Sequence, residues 1–157
     1  MKRRRILLAL TCVSICQIAG AAGLQWYDTQ AWNALRHAHA SSRWIVHFWG
    51  MSCDPCRQEL PAWGRFVHDH PGIRITFIEV EQAVPSEVEA ALAQAGLAGS
   101  DQWLSANGLD AAQRYAIDRH WGGEIPLTLL IAPDSQVQTI NGTVDFHRLV
   151  AWAGAQP

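Results

Sequence analysis

The chain has 157 residues, of which 49% are hydrophobic and 17% are charged. This length and composition allow one domain with a substantial apolar core and leave little room for two. The formal net charge is −2, but four of the twelve basic residues lie at Lys2–Arg5, and without them 8 basic residues face 14 acidic ones, or −6. That charge argues against nucleic-acid binding through a basic surface.

The N-terminal segment has the pattern of a secretory signal peptide. Lys2–Arg5 is a basic region, Ile6–Ala19 is apolar, and Ala19–Ala21 supplies the small residues that precede a cleavage site. We expect a signal peptide over residues 1–21 and a single domain over residues 22–157. An uncleaved membrane anchor is the alternative, since the apolar segment approaches the length that spans a bilayer. Both interpretations place the domain outside the cytoplasm, in the periplasm, because the arginine cluster stays inside.

The remaining pattern predicts alternating strands and helices. The first part of the chain predicts a strand or loop with a short helix over Gln25–Ala40, a strand over Trp44–Trp49, and a helix over Cys56–Asp69 that is bent at Pro61. A strand over Ile73–Val80 and a helix over Ser86–Ala95, with Ser86 as its cap, follow. The last part predicts a helix over Asp110–His120, strands over Leu127–Ile131 and Gln136–Ile140, and a helix over Asp145–Ala153. No element is predicted between residues 96 and 109. This order predicts an α/β fold whose central mixed sheet is flanked by helices on both faces, with the first two strands parallel and the last two in an antiparallel hairpin.

Two cysteines three residues apart, Cys53 and Cys56, lie where the first central strand gives way to the next helix. Pro55 suits the first turn of a helix, so Cys53 falls at the helix N-terminus and Cys56 one turn further on. Unpaired N–H groups and the helix dipole at that position favour a thiolate at Cys53. The spacing therefore predicts a redox pair in which Cys53 attacks and Cys56 resolves the mixed disulfide.

Two other uses of such a cysteine pair are open. Half of a zinc site is one, but the chain has no second pair of this spacing, and His68 and His70 are separated by a single residue. A stabilising disulfide is the other, although a bridge of this spacing closes almost no loop and constrains the unfolded chain weakly. Removal of the signal peptide would also remove Cys12 and Cys16, which leaves this pair as the only cysteines.

Two motifs carry a family resemblance. Trp49–Pro61 resembles the W-x-x-x-C-x-P-C-x-x-E-x-P signature of the TlpA/ResA/CcmG branch of the thioredoxin-like thiol-disulfide oxidoreductases, and Gly123–Thr128 resembles the cis-proline segment of that fold. The two motifs support each other, and the resemblance covers Trp44–Ala153. It implies a thioredoxin-like fold and a redox-active Cys53–Cys56 disulfide, with no further cofactor and no metal.

The resemblance also assigns residues around the sulfurs. Glu59 matches the acidic position of the signature, which implies a carboxylate that handles protons during exchange; a solvated helix glutamate is the alternative. Ile125 and Pro126 would pair with an extended substrate segment beside the disulfide. A plain proline at the start of a strand is the alternative for Pro126. We place Trp49 and Pro55 in the same substrate-binding region, with Trp49 as a residue that shapes it.

Several residues depart from the family pattern or tune the site. His47 stands where the thioredoxins proper carry a buried acid, and it either tunes the site or is a hydrogen-bonded core residue. Asp54 lies between the cysteines, where its charge opposes a thiolate at Cys53 and favours a reducing pair. Ser52 replaces an aromatic residue of many relatives, and Glu124 adds a charge beside the proline segment.

The predicted function is the reduction of protein disulfides by a periplasmic thiol-disulfide oxidoreductase, with cytochrome c maturation as one implied role. We expect a monomer, tethered if the anchor is uncleaved, whose partners are protein disulfide substrates and an upstream membrane thiol-disulfide electron donor. An oxidant that introduces disulfides is the first alternative. The others are a copper-binding or other metal-binding module that uses Cys53, Cys56 and a histidine such as His47 or His120, and a binding domain with a vestigial dithiol.

Overall fold

The structure is a computed structural model that describes residues 23–154. The expected signal peptide or anchor, residues 1–21, lies outside the described residues. The described strands are β1 (Gln25–Tyr27), β2 (Trp44–Trp49), β3 (Ile75–Glu79), β4 (Asp101–Ser105), β5 (Leu127–Ile131) and β6 (Val137–Asn141). The described helices are α1 (Ala31–Ala38), α2 (Asp54–Asp69), α3 (Pro85–Gln94), α4 (Ala111–Ile117) and α5 (Phe146–Gly154). Between residues 23 and 154, no helix has the length and apolar character needed to cross a membrane.

The six described strands form one mixed sheet in the order β1-β4-β3-β2-β5-β6. The first four strands of that order are parallel, while β5 runs antiparallel to β2, and β6 runs antiparallel to β5. The parallel pairing predicted for the first two central strands and the antiparallel hairpin predicted at the end are both confirmed. Because β2 is central and buried on both faces, its sequence is an apolar run interrupted only by His47.

Apolar side chains of the sheet alternate between two cores. Val46 and Phe48 of β2 face a core closed by α1 and α4, whereas Ile45 and Trp49 face a core closed by α2, α3 and α5. Alternate residues of a strand point to opposite faces, so one strand supplies both cores. The predicted fold class, a mixed sheet with helices on both faces, is confirmed.

Strand β4 lies in the segment for which the sequence predicts no element. Its buried face includes Gln102, whose Nε2 donates a hydrogen bond to the carbonyl oxygen of Leu97. Asp101, at its start, accepts hydrogen bonds from Gln25 Nε2 and Thr76 Oγ1. Polar groups that are satisfied inside the sheet conceal the apolar alternation on which the prediction of a strand depends.

Two helix boundaries differ from the prediction. Helix α3 begins at Pro85, because a proline suits the first helical position, and Ser86 therefore lies inside the helix and does not cap it. Helix α4 ends at Ile117 instead of His120, because Asp118 is extended, with φ −147° and ψ 120°. The other predicted boundaries agree with the structure to within about two residues.

Helix α2 packs against α3 at a position that has no side chain. It runs through Pro61 without interruption, and a Cβ on Gly64 would overlap the backbone carbonyl oxygen of Ala95, at the end of α3. The two helices therefore approach more closely than a residue with a side chain would allow. This contact fixes the helix that carries the cysteine pair at its N-terminus.

We expect Gly64→Ala to destabilise the protein by ~1–3 kcal/mol, since the added methyl group must displace backbone atoms of Ala95. In an uncrowded helix the same substitution stabilises by ~1 kcal/mol, so the sign of the change reports the contact. Urea unfolding followed by tryptophan fluorescence measures it. Gly154→Ala, at the end of α5, is the helical control, because a Cβ there meets no atom within 4 Å. Equal stability of the two variants would contradict the close approach.

Candidate active site

The ends of three strands meet at one edge of the sheet. The parallel strands β2 and β3 end at Trp49 and Glu79, which are partners in the register. The antiparallel strand β5 begins at Leu127, opposite Phe48 of β2. Loop 50–53, which leaves β2, therefore lies beside the segment that enters β5, and this edge holds the cysteine pair.

Cys53 and Cys56 form a disulfide at the N-terminus of α2. Cys53 is the N-cap residue, with φ −85° and ψ 102°, and its Sγ accepts a hydrogen bond of 3.2 Å from the backbone N–H of Cys56. Pro55 lies in the first turn, as predicted, and is exposed. The first N–H groups of the helix are thus available to stabilise negative charge on the Cys53 sulfur once the disulfide is reduced.

The two sulfurs differ in exposure. Cys56 is 0% exposed and belongs to the core that contains Leu60 and Trp63, whereas Cys53 is partly exposed. A substrate can therefore reach Cys53 and not Cys56. This asymmetry is what the predicted roles require, with Cys53 attacking and Cys56 resolving.

The segment that enters β5 lies against the disulfide. The Ile125–Pro126 peptide bond is cis, and the carbonyl oxygen of Ile125 lies 3.7 Å from Cys53 Sγ. Pro126 is buried, and Ile125 is partly exposed. Trp121 Nε1 donates a hydrogen bond of 2.8 Å to the carbonyl oxygen of Glu124, which holds the loop just before this pair. An extended chain that passes Cys53 would meet the peptide groups of Ile125.

Several similar solved structures are of disulfide oxidoreductases. A secreted disulfide oxidoreductase of Mycobacterium tuberculosis, described as homologous to E. coli DsbE, matches with a TM-score of 0.60 and 15% identity over 76% of this chain and 86% of its own. A thioredoxin-family thiol:disulfide interchange protein from Chlorobium tepidum matches with a TM-score of 0.60 and 18% identity over 75% and 81%. StoA from Bacillus subtilis matches with a TM-score of 0.54 and 21% identity over 72% and 83%. The chain has a thioredoxin-like fold.

The thioredoxin-like fold implied by the two sequence motifs is thus confirmed. No protein-family profile matches the chain, and no curated protein matches it by sequence. Because a fold hosts many activities, the chemistry has to be argued from the side chains around the disulfide.

Glu59 lies on the buried face of α2, one helical turn after Cys56, and is 7% exposed. Its Oε2 accepts a hydrogen bond of 3.1 Å from Trp63 Nε1, and its Oε1 accepts one from the backbone N–H of Val144. Burial raises the pKa of the Glu59 carboxyl group, and these two hydrogen bonds oppose the rise. Glu59 is therefore not the solvated helix residue of the alternative interpretation.

His47 lies on β2 and is fully buried. Its Nδ1 lies 2.9 Å from Thr128 Oγ1 on β5. Its Nε2 lies 3.8 Å from Glu59 Oε2 and has no hydrogen-bond partner among the described residues. Burial lowers the pKa of His47 to about 3, so the ring is neutral at pH 7. His47 is thus a hydrogen-bonded core residue on one side and a neighbour of the Glu59 carboxyl group on the other.

Three other predicted residues have surroundings that the sequence did not indicate. Asp54 Oδ1 lies 2.5 Å from Arg57 Nη2 in an exposed ion pair, so the charge of Asp54 is partly compensated. Trp49 is fully buried, which limits it to shaping the loop and leaves no surface for substrate contact. Glu124 turns back on its own loop, where its Oε2 accepts a hydrogen bond of 3.1 Å from the Gly122 N–H.

Two carboxylates at the end of β3 belong to the site and were not predicted. Glu79 is 0% exposed, and its carboxylate accepts hydrogen bonds from the backbone N–H groups of Met51 and Glu81, each at 3.2 Å. Glu81 accepts hydrogen bonds from the N–H and the hydroxyl group of Ser52, at 2.8 and 2.6 Å. The sequence could have indicated the burial of Glu79, because the alternation of side chains along a strand places it on the same buried face as Phe77.

A metal-binding use of the cysteines needs further ligands near them. Within residues 23–154, no group of three or more His, Cys, Asp and Glu side chains is arranged to hold a metal ion. His47 is buried on β2, and His120 is exposed after α4. The ligand set considered for a copper-binding module is therefore not assembled in this part of the chain.

The burial of His47 predicts an acid-dependent loss of stability. Relative to His47→Gln, the free energy of unfolding of the unmodified protein should fall by ~1.4 kcal/mol for each pH unit between about pH 6 and pH 4. The cause is that His47 takes up a proton in this range only in the unfolded chain, because its pKa in the folded protein is about 3. Urea unfolding at a series of pH values measures the difference. His147→Gln, at an exposed position, should retain the original slope; the same slope in His47→Gln would contradict a buried neutral ring.

Proposed function

We propose that the chain is a thiol-disulfide oxidoreductase that acts on protein disulfides through Cys53 and Cys56. The observation that carries this proposal is the asymmetry of the pair: a partly exposed N-cap sulfur beside the Ile125 carbonyl group is joined to a fully buried sulfur. A purely stabilising bridge needs no such asymmetry, and this one closes too short a loop to stabilise much. The similar structures described as disulfide oxidoreductases support the same activity.

In the reducing direction, the Cys53 thiolate attacks one sulfur of a substrate disulfide. A bond forms between Cys53 Sγ and that sulfur, and the other substrate sulfur leaves as a thiolate and takes up a proton. Cys56 then loses its proton and attacks Cys53 Sγ, which restores the Cys53–Cys56 disulfide and releases the second substrate sulfur. The substrate gains two electrons, and an upstream dithiol must return two electrons to the protein.

The proton of Cys56 needs an acceptor, because Cys56 is shielded from water. Glu59 is one helical turn away on the same buried face of α2. Since burial raises its pKa, the Glu59 carboxylate is a better proton acceptor than an exposed carboxylate. His47, neutral and 3.8 Å from Glu59, adds no second charge to this pocket. We therefore assign the proton transfer to Glu59.

The proposed substrate-binding region lies around the exposed side of Cys53. Ile125 offers peptide groups beside the sulfur, Pro126 fixes the segment that carries them, and Pro55 lies exposed at the start of α2. Main-chain pairing with an extended segment supplies affinity without selecting particular side chains. This kind of recognition suits an enzyme that acts on several protein disulfides.

We propose the reducing direction because carboxylates surround the N-terminus of α2. Glu79 and Glu81 both hold loop 50–53 through hydrogen bonds. Negative charge there destabilises a Cys53 thiolate and therefore the reduced state, which makes the reduced pair a stronger reductant. Asp54 contributes less than its position in the sequence suggests, since Arg57 pairs with it.

The proposed compartment is the periplasm. The basic and apolar pattern at the N-terminus supports export, and the similar M. tuberculosis protein is described as secreted. The proposed partners of this monomer are an upstream membrane thiol-disulfide electron donor and protein disulfide substrates. Apocytochrome cysteines are one substrate class that a reductase in this compartment would serve.

Substitution of each cysteine tests the activity, with dithiothreitol as electron donor and insulin as substrate. Cys53→Ser should abolish reduction, whereas Cys56→Ser should trap Cys53 in a mixed disulfide, because no second thiol resolves it. Glu59→Gln should slow resolution by ~100-fold and leave the first attack unchanged. Non-reducing electrophoresis and mass spectrometry identify the trapped species. Trapping by Cys56 would reverse the assigned roles, and full activity of the double cysteine variant would refute the function.

The reduction potential of the Cys53–Cys56 pair tests the direction. We expect a value near or below about −270 mV, because the surrounding carboxylates disfavour the thiolate. Titration in thiol buffers can be followed by fluorescence, since Trp49 shares a core with Cys56. A value near about −120 mV would instead identify an oxidant. Cys53→Ser is the control and should show no two-electron transition.

A further inference from the structure

Glu79 is a buried carboxyl group to which the exchange steps above assign no proton transfer. It ends β3 beside Trp49 of β2, and alternation places its side chain on the sheet face that α2 covers. Cys56 is buried on the same face. Glu79 therefore lies beneath the N-terminus of the helix that carries the disulfide.

The carboxylate of Glu79 holds the chain that leads into the disulfide. Its Oε1 accepts the N–H of Met51, two residues before Cys53, and its Oε2 accepts the N–H of Glu81. Loop N–H groups lack the regular partners that a helix or sheet provides, so a buried acceptor satisfies them here. The placement of Cys53 thus depends on Glu79 through one short segment.

We propose that Glu79 is a positioning residue whose protonation is coupled to the ionisation of Cys53: the carboxylate opposes the Cys53 thiolate, and the neutral carboxylic acid favours it. This inference deepens the proposed thiol-disulfide exchange and rests on it. The two negative charges repel each other because both adjoin loop 50–53, and the burial of Glu79 leaves its charge poorly screened by water.

The coupling exists only in the reduced protein. Reduction breaks the Cys53–Cys56 bond with two electrons from an external dithiol, and one proton goes to Cys56. Cys53 is then left as a thiolate, whereas the disulfide carries no charge. Glu79 therefore faces a second negative charge in one redox state and none in the other.

The titratable and charged groups around Glu79 come from the adjoining elements. They are Glu81 on the same segment, Cys53, Cys56, Asp54, Arg57 and the buried Glu59 on α2, His47 on β2, and Glu87 on α3. The cation of this set, Arg57, is paired with Asp54, and His47 is neutral because burial lowers its pKa. Within this set, the thiolate of Cys53 is the charge that changes with redox state.

Glu79 titrates in the same pH range as an acidic thiol. Burial raises the pKa of Glu79 to about 7; the N–H groups of Met51 and Glu81 oppose the rise, and the charge of Glu81 adds to it. A thiol at a helix N-terminus ionises in an overlapping range. As the pH falls through this range, each proton that Glu79 takes up removes a charge that opposes the Cys53 thiolate, which therefore persists further into acid. The Cys53 titration is therefore broader than that of an isolated thiol.

The direct test uses the unmodified full chain in both redox states. Carbon-13 NMR of the Glu79 carboxyl group, assigned by through-bond correlations, gives its pKa in the disulfide protein and in the protein reduced with dithiothreitol. We expect a pKa higher by about half a unit or more in the reduced protein, because coupling between two sites is reciprocal. The same pKa in both states would overturn the proposal.

A charge-removing variant tests the same coupling from the side of the thiol. In Glu79→Gln, the ultraviolet absorbance of the Cys53 thiolate should titrate with a midpoint lower by about half a unit or more and with the width of a single-proton curve. Glu89→Gln is the matched control, because it removes an exposed carboxylate from α3, and its curve should stay broad. A broad, unshifted curve in Glu79→Gln would show that Glu79 only supports the loop.

Failure of the proposed function would give a different result. Dithiothreitol reduces the disulfide whatever the physiological activity, so both titrations can be measured in a protein that does not reduce insulin. Coupled titrations without insulin reduction would refute the function and support the role of Glu79. Uncoupled titrations in an active enzyme would refute the role of Glu79 alone.

Discussion

The N-terminus of α2 has to lie over the edge where β2 and β3 end, and the rest of the site depends on this placement. Leu60, Trp63 and Phe66 fix the helix against the sheet, and loop 50–53 is too short to let the first cysteine leave the N-cap position. Because β5 runs antiparallel to β2, its entry brings Ile125 to the same edge. A short loop, a packed helix and one reversed strand thus assemble the sulfur and its neighbouring carbonyl group.

Ionisable side chains lie in the same half of the core, where apolar residues would be less costly. Glu79, with its pKa raised from 4.5 to about 7, costs ~3 kcal/mol when it is ionised above pH 7. That is a substantial part of the ~5–15 kcal/mol by which domains are stable. His47 avoids such a cost at neutral pH because it stays uncharged. Both groups adjoin the proposed thiol chemistry, since Glu79 holds the loop before Cys53 and His47 lies beside Glu59, the proposed proton acceptor.

Apolar patterning was sufficient for β2 and β5, whose residues are all buried, and the motif Trp49–Pro61 was sufficient for the position of the disulfide. Patterning failed for β4 and for Glu79, because hydrogen-bonded polar groups inside a protein resemble surface residues in a sequence. Sequence separation matters as well. The family resemblance predicted that Ile125 lies beside the disulfide, although it is 72 residues from Cys53 in the sequence. No sequence motif indicated the hydrogen bond between the Met51 N–H and the Glu79 carboxylate, which are 28 residues apart.

Two features act on the Cys53 sulfur in opposite directions. The N-terminus of α2 favours a thiolate by about 0.3–1 kcal/mol, and by up to about 2 kcal/mol in partly buried sites. The carboxylates that hold loop 50–53 oppose it by repulsion between like charges. In the proposed coupling, protonation of Glu79 weakens the opposition from the carboxylates and leaves the effect of the helix N-terminus unchanged. A helix N-terminus alone would make the sulfur acidic and the pair oxidising, whereas the added carboxylates favour the reducing direction that we propose for this chain.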